Sequence, residues 1–306
     1  MEIFITLVTK LLPLYAIMAC GFVLGRKTDN LPQAISYLQI NLIAPVVMAI
    51  TIASLPMQSE YMVLPFLFLG LCCAIAGLLF YIGRIWNDST RNLIAYTGAS
   101  ANTGYFGIPV ALILFPESAL GLFMLTMLGF QLYENTLGYY LIARGHYTVR
   151  DSFKRLLRLP TLYGCLIGIL LSVAEVKIPT LVEAVGRDFR STYIILGALM
   201  IGLGLAKAAS FKPDGKFLGI LLGAKFILWP VVVFGLIIFD EHITHLFSAQ
   251  VHQMMFLLSI VPLPANAVAF ATLLNVQPQK AATAVFISTV IALFYIPAVL
   301  MWMGYV

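Results

Sequence analysis

Gly98-Ala-Ser-Ala-Asn102-Thr-Gly104-Tyr-Phe-Gly107-Ile-Pro109 interrupts one long apolar stretch of the chain, and Ser259-Ile-Val-Pro262-Leu-Pro264-Ala-Asn266-Ala interrupts another about half a chain away. Each stretch has the length of a helix that spans a bilayer, yet each carries Asn, Gly or Pro where the midplane would fall. Backbone released inside hydrocarbon finds no water, so such breaks survive only where protein or an aqueous cavity surrounds them. Paired Gly/Pro interruptions in corresponding positions of two halves point to the binding site of a secondary transporter.

The composition agrees with a membrane environment. The chain is 61% hydrophobic and 10% charged, with a mean hydropathy of +0.98, where soluble domains carry about 25% charged residues. Ten apolar stretches are expected to cross about 30 Å of hydrocarbon: 3–25, 32–55, 61–83, 91–115, 118–143, 160–175, 190–209, 216–239, 247–273 and 279–303. The net charge of +5 lies in short loops between them and implies no nucleic-acid partner. Loops after odd-numbered stretches hold 13 of the 18 Lys and Arg, among them Arg26, Arg84, Arg158 and Lys280; loops after even-numbered stretches hold three, Lys177, Arg187 and Arg190. The positive-inside rule makes the first side cytoplasmic and puts both termini outside. Cys20, Cys72, Cys73 and Cys165 all fall within apolar stretches at no metal-ligand spacing, so no metal site is expected.

The longest polar interruption, 144–159, is basic and amphipathic, with Phe153, Leu156 and Leu157 on one side; it reads as a linker whose cations meet lipid head groups. It separates two five-helix halves, 1–143 and 160–306. Leu12-Pro13 matches Leu159-Pro160, Ala101-Asn102 matches Ala265-Asn266, and Phe115-Pro116 matches Gln277-Pro278 in the same order. With an odd number of helices per half, the second half enters the membrane upside down, which gives an inverted repeat. The expected fold is therefore an all-α polytopic membrane protein of ten transmembrane helices, helices 4 and 9 broken.

The breaks also define a chemistry. Gly104 and Gly107 let the backbone leave helical geometry, and Pro109 suits the first turn of a restarted half-helix. Pro262 and Pro264 remove two backbone donors. Half-helices starting near Pro109 and Pro264 would aim free N–H groups and about half a positive charge at the midplane, which favours an anion. Asn102, with Thr103 beside it, and Asn266 add polar side chains that bind a carboxylate.

The run Asn102-Thr-Gly104-Tyr-Phe-Gly107-Ile-Pro109 resembles the Asn-Thr-Gly-x-x-Gly-Ile-Pro motif of the auxin efflux carrier family, and Pro262-x-Pro264-Ala-Asn266 and Pro45 fit the same pattern. That resemblance extends over essentially the whole chain. It implies the fold of the bile-acid sodium symporters, with helices 4 and 9 crossed, helices 1, 2, 6 and 7 as a scaffold, and the others as a moving domain. It implies substrate contact at Asn102 and Asn266, and a homodimer through the scaffold. The short mid-chain loop resembles that of bacterial members, whose substrates include malate-like acids, so the bacterial inner membrane is the expected location.

Helix 5 holds Gln131, Glu134 and Asn135, and helix 8 holds Lys225 at the same depth. Ionisable residues inside a membrane are functional by default. A Glu134–Lys225 pair is geometrically possible: either Glu134 takes up and releases a proton while Lys225 answers the substrate's charge or replaces the proton, or the two form a self-neutralising structural pair. The reading that results is a carrier for a small organic anion, coupled to a proton or sodium or to neither, with no cofactor. One alternative is a receptor that binds a small carboxylate without moving it. An intramembrane enzyme is disfavoured, because one glutamate and no His or Asp are expected in the core.

Overall fold

The computed structural model describes residues 2–28, 30–55, 61–116, 119–208 and 214–303. Among them the chain is 84% helical and without strands. The first half contains α1 (Glu2–Gly25), α2 (Leu31–Ala53), α3 (Val63–Ile85), α4 (Thr90–Gly98), α5 (Ile108–Leu114) and α6 (120–143). A short helix α7 (Val149–Leu157) leads to α8 (Pro160–Val173), α9 (Thr180–Ala208) and α10 (Gly215–Thr244). The chain continues through α11 (Ala249–Ile260), α12 (Asn266–Leu274) and α13 (Pro278–Trp302).

Among the described residues five helices, α2, α3, α9, α10 and α13, are long and apolar enough to cross a membrane unaided, and α7 with α8, bent by 47°, would make a sixth. The protein is an integral membrane protein. The other expected stretches are helical as well, but two are cut into pieces of 9 and 7 residues and of 12 and 9 residues. The α6 stretch is continuous but carries Gln131, Glu134 and Asn135 in its middle. One boundary moved. The apolar stretch at 190–209 belongs to a helix that starts at Thr180, because the polar turn around Arg187 and Arg190 is itself helical. Arg190 is thereby drawn inward, where its Nη2 donates to Thr51 Oγ1 at 3.1 Å.

The helices pack in two groups. In one, α1 lies along α9 and α2 along α8. Both contacts are backbone-close: a methyl added at Gly202 would collide with the Met18 carbonyl, and one at Gly164 with the Pro45 carbonyl. Small residues at helix contacts are how membrane helices gain van der Waals packing without a hydrophobic drive. The other group is built on α3, α4, α6, α10 and α11 around stacked rings. Phe130 lies 5.2 Å from Phe68 and 5.1 Å from Trp229, centroid to centroid.

At the linker end of this second group Asp214 caps α10, accepting from the Phe217 amide at 3.0 Å. Its other oxygen accepts from Lys280 Nζ at 3.0 Å and Trp86 Nε1 at 3.1 Å, and Lys280 also donates to Thr90 Oγ1 at 2.8 Å. These bonds join α10, α13 and the α3–α4 turn. Desolvation pushes the Asp214 carboxyl up, but the Phe217 amide, Lys280 and Trp86 outweigh it and hold the group below its ordinary range. A carboxyl whose pKa is lowered by folding stabilises fully above its unfolded value of about 3.9, and that stability is lost as pH falls through the lower folded value. Thermal unfolding midpoints should therefore drop between about pH 5 and pH 3, and less steeply for Asp214→Asn, whose midpoint is already lower at neutral pH. Equal slopes for the two proteins would show that the bridge contributes nothing.

The turn between α10 and α11 is held by buried polar groups. Asp240 and His252 are both buried. Asp240 accepts from Thr244 Oγ1 and from the Leu246 and Phe247 amides, and lies 2.8 Å from His252 Nε2. The core thus contains one Asp and one His that its apolar pattern hid; together they staple the α10–α11 turn.

Candidate functional site

The two breaks meet. The Asn102 amide donates to the Pro262 carbonyl at 2.8 Å, so the interrupted backbones are bonded to each other where neither helix can bond itself. Two other freed groups also have partners. Trp229 Nε1 donates to the Gly98 carbonyl left open at the end of α4 (2.8 Å), and the Leu263 amide donates to Ser288 Oγ of α13 (3.2 Å). Unsatisfied groups of this kind cost several kcal/mol in a medium without water. The protein has therefore built partners for a deliberately broken pair of helices.

Beyond the first break the chain re-enters helix earlier than the proline suggests. A π-helical turn, Thr103–Gly107, precedes α5, and the Gly107 amide donates to the Asn102 carbonyl at 3.0 Å. The N–H end of this half-helix therefore lies at Asn102–Gly104. Pro109 sits a turn further on, as the second residue of α5, and its side chain is outside the described residues. Pro109 does not mark the start of the half-helix, because glycines at 104 and 107 permit a wide turn that needs no proline. In the second break α12 starts at Asn266, next to Pro264, where the expectation placed it.

Between the breaks is a cavity of about 30 Å³ lined by Asn102, Thr103, Gly104, Pro264 and Asn266 of the breaks, by Gln131 and Glu134 of α6, and by Met48 and Tyr193. Glu134 is buried and fully engaged. Its Oε1 accepts from Ser100 Oγ at 2.5 Å, and its Oε2 accepts from Asn266 Nδ2 at 2.8 Å. Asn266 Oδ1 in turn accepts from the Tyr193 hydroxyl at 2.7 Å. Ser100, Glu134, Asn266 and Tyr193 thus form one chain, and its last link joins α12 to α9. A water needs roughly 10–15 Å³ of such space. The cavity has room for about two and is too small for an organic acid.

Several expected residues stand elsewhere. Pro262 contributes its carbonyl to Asn102 and does not line the cavity. Asn135 turns back on its own helix, donating to the Gln131 carbonyl at 2.8 Å. The Glu134–Lys225 pair is not formed. Lys225 is fully buried, its Nζ has no hydrogen-bond partner, and it lies 5.1 Å from the Trp229 ring centroid and 6.0 Å from that of Phe130. Equal depth on two helices says nothing about which way each side chain points; Glu134 faces the breaks while Lys225 faces the aromatic stack. Two residues of the polar chain were not anticipated. Ser100 stood in the quoted break without being singled out, and Tyr193 is one tyrosine among 14, with nothing local to distinguish it.

Glu134 is the one formally charged side chain lining the cavity. An anion entering beside an ionised carboxylate would meet like charge in a low dielectric, where repulsion is strong. The arrangement accepts an anion only together with a proton on Glu134 or a cation beside it.

A methyl at Gly104 would meet nothing within 4 Å, and Gly104 itself lines the cavity. Gly104→Ala should keep or raise stability, by about 0.4–1 kcal/mol, while weakening ligand binding. Thermal unfolding with and without ligand checks both; equal ligand shifts in the two proteins would mean that the cavity is not the binding site.

The scan against protein-family models matched none, and no curated protein matches the chain in sequence. The likeness to auxin efflux carriers therefore rests on the motif residues themselves.

Proposed function

We propose that the protein is a secondary active transporter that carries a small organic anion, auxin- or malate-like, across the cytoplasmic membrane by alternating access. In this reading the ten apolar stretches are ten spans, arranged as two inverted five-helix repeats (1–143 and 160–306) about the linker, with both termini outside. The helix group containing α1, α2, α8 and α9 is the scaffold, and the group holding the breaks moves against it. The observation that carries the proposal is the junction of two broken helices at a small polar cavity, closed by a tyrosine from the opposite helix group. Asn102, Asn266 and the adjoining half-helix N-termini hold the carboxylate, and Glu134 carries the coupling proton.

Binding is tested on the purified protein by thermal unfolding against mono- and dicarboxylates, indole acids included, at acid and neutral pH, with and without sodium. A ligand at about 100 times its Kd adds about 2.7 kcal/mol. Stabilisation by one acid class, greater at acid pH, is expected. Stabilisation by cations or neutral compounds alone would contradict the anion assignment.

A further inference from the structure

A second cavity, of about 620 Å³, opens at the linker end of the molecule between the two helix groups. Tyr37 and Asn41 of α2 line one wall and Tyr139 of α6 another, and α7 supplies Lys154, Arg155 and Arg158. These three cations have no ion-pair partner among the described residues. The acid in the same cavity, Asp151, is committed to the start of α7, where its carboxylate accepts from Thr148 Oγ1 at 2.8 Å and its amide donates to the same oxygen at 3.2 Å. Arg155 is stacked over the Tyr147 ring at 3.7 Å, which orients its guanidinium and leaves its N–H edge for a ligand.

The surroundings of this basic cavity are apolar and uncovered. Val149, Phe153 and Leu157 recur every four residues along α7 and are 59%, 54% and 47% exposed, on the side away from the three cations. Beside Tyr37 and Asn41, α2 exposes Leu38 and Leu42, so a membrane-facing strip runs away from the cavity mouth. An amphipathic helix with this division lies at the water–hydrocarbon boundary. Basic pockets between membrane helices at that level suit phosphate head groups.

We propose that this cavity is a specific site for an anionic phospholipid. Its phosphate contacts Lys154, Arg155 and Arg158, the tyrosine hydroxyls bond the remaining head-group oxygens, and its acyl chains run along Leu38 and Leu42. A soluble phosphate would satisfy the same cations but would leave the apolar strip unused. The inference does not depend on what the central cavity binds.

The test adds phosphatidylglycerol, phosphatidylcholine or inorganic phosphate to the full-length protein in neutral detergent, with thermal midpoint and intact-complex mass as readouts. Phosphatidylglycerol should raise the midpoint and remain bound, phosphatidylcholine should do neither, and K154Q/R155Q/R158Q should weaken phosphatidylglycerol binding tenfold or more. All three positions are exposed, and an unchanged midpoint of the lipid-free variant shows that it folds. Equal effects of the two lipids, or unchanged phosphatidylglycerol binding by the folded variant, would overturn the site. Displacement of the lipid by an equal concentration of inorganic phosphate would overturn the lipid assignment in favour of a soluble phosphate ligand.

Discussion

Replacing Glu134 by Gln should abolish proton-driven accumulation while leaving exchange of substrate across the membrane intact. Gln has the shape and neutrality of the protonated acid, so its amide nitrogen or oxygen can still meet Ser100 and Asn266. The like-charge barrier to an anion is then absent at every pH, and counterflow loses its pH dependence. A proton can no longer travel with the substrate. For a carrier that moves one proton per monovalent charge compensated, each pH unit across the membrane is worth 1.36 kcal/mol, about tenfold in accumulation. The wild-type protein in sealed vesicles with an imposed gradient of one unit should approach that ratio, and Glu134→Gln should stay near unity. If the variant retains wild-type pH dependence, Glu134 is not the proton carrier.

The second large effect belongs to Asn266. Its amide both donates to Glu134 and accepts from Tyr193, so Asn266→Ala removes a hydrogen bond from a buried carboxylate oxygen and from a buried hydroxyl together. Each unmade buried hydrogen bond costs about 1–3 kcal/mol, more when the group is charged. Transport should fall on the order of 10²-fold, and the ligand-dependent rise in unfolding temperature should vanish. Tyr193→Phe removes one of the two bonds and should cost about tenfold. Combining Glu134→Gln with Asn266→Ala should cost less than the sum of the single changes, because the two side chains share a bond. Strict additivity in that cycle would mean that the hydrogen-bonded chain is not a functional unit.

Much of the fold was readable because membranes make backbone rules strict. Pro262 and Pro264 break their helix for local reasons, and local reasons survive without knowledge of the neighbours, so that break is where those residues put it; the first break falls at 99–102, just ahead of Gly104 and Gly107, which lie inside the π-helical turn. The same locality explains the errors. Pro109 looked like a helix start, but the glycines before it allowed a wider turn. The stretch at 190–209 looked like a whole helix because Arg187 and Arg190 are polar, although neither residue type interrupts helical geometry. Lys225 and Glu134 were matched by depth alone, whereas rotation about each helix axis decides contact and depends on packing such as that of Trp229 and Phe130. Tyr193 and Ser100 became visible only once α9 and the first break were placed around Glu134. No Asp or His was expected in the core, and Asp240 and His252 are buried there because their turn is held by its own mutual bonds.

Tyr193 of α9 and Asn266 of α12 are hydrogen-bonded to each other beside the central cavity. In the proposed carrier the substrate, the proton and the Tyr193–Asn266 contact would meet at the same point. Coupling then needs no pathway between distant sites, since a ligand shifts the equilibrium only by its differential affinity for the two forms.

The most direct measurement is uptake of radiolabelled mono- and dicarboxylates into sealed liposomes containing the purified protein, beside liposomes containing Asn266→Ala. Saturable uptake of one acid class, faster from the more acidic side and lost in the variant, is the predicted result. An acid that stabilises the protein yet never enters the vesicles would contradict it, and would make the protein a membrane receptor for that acid instead of its carrier.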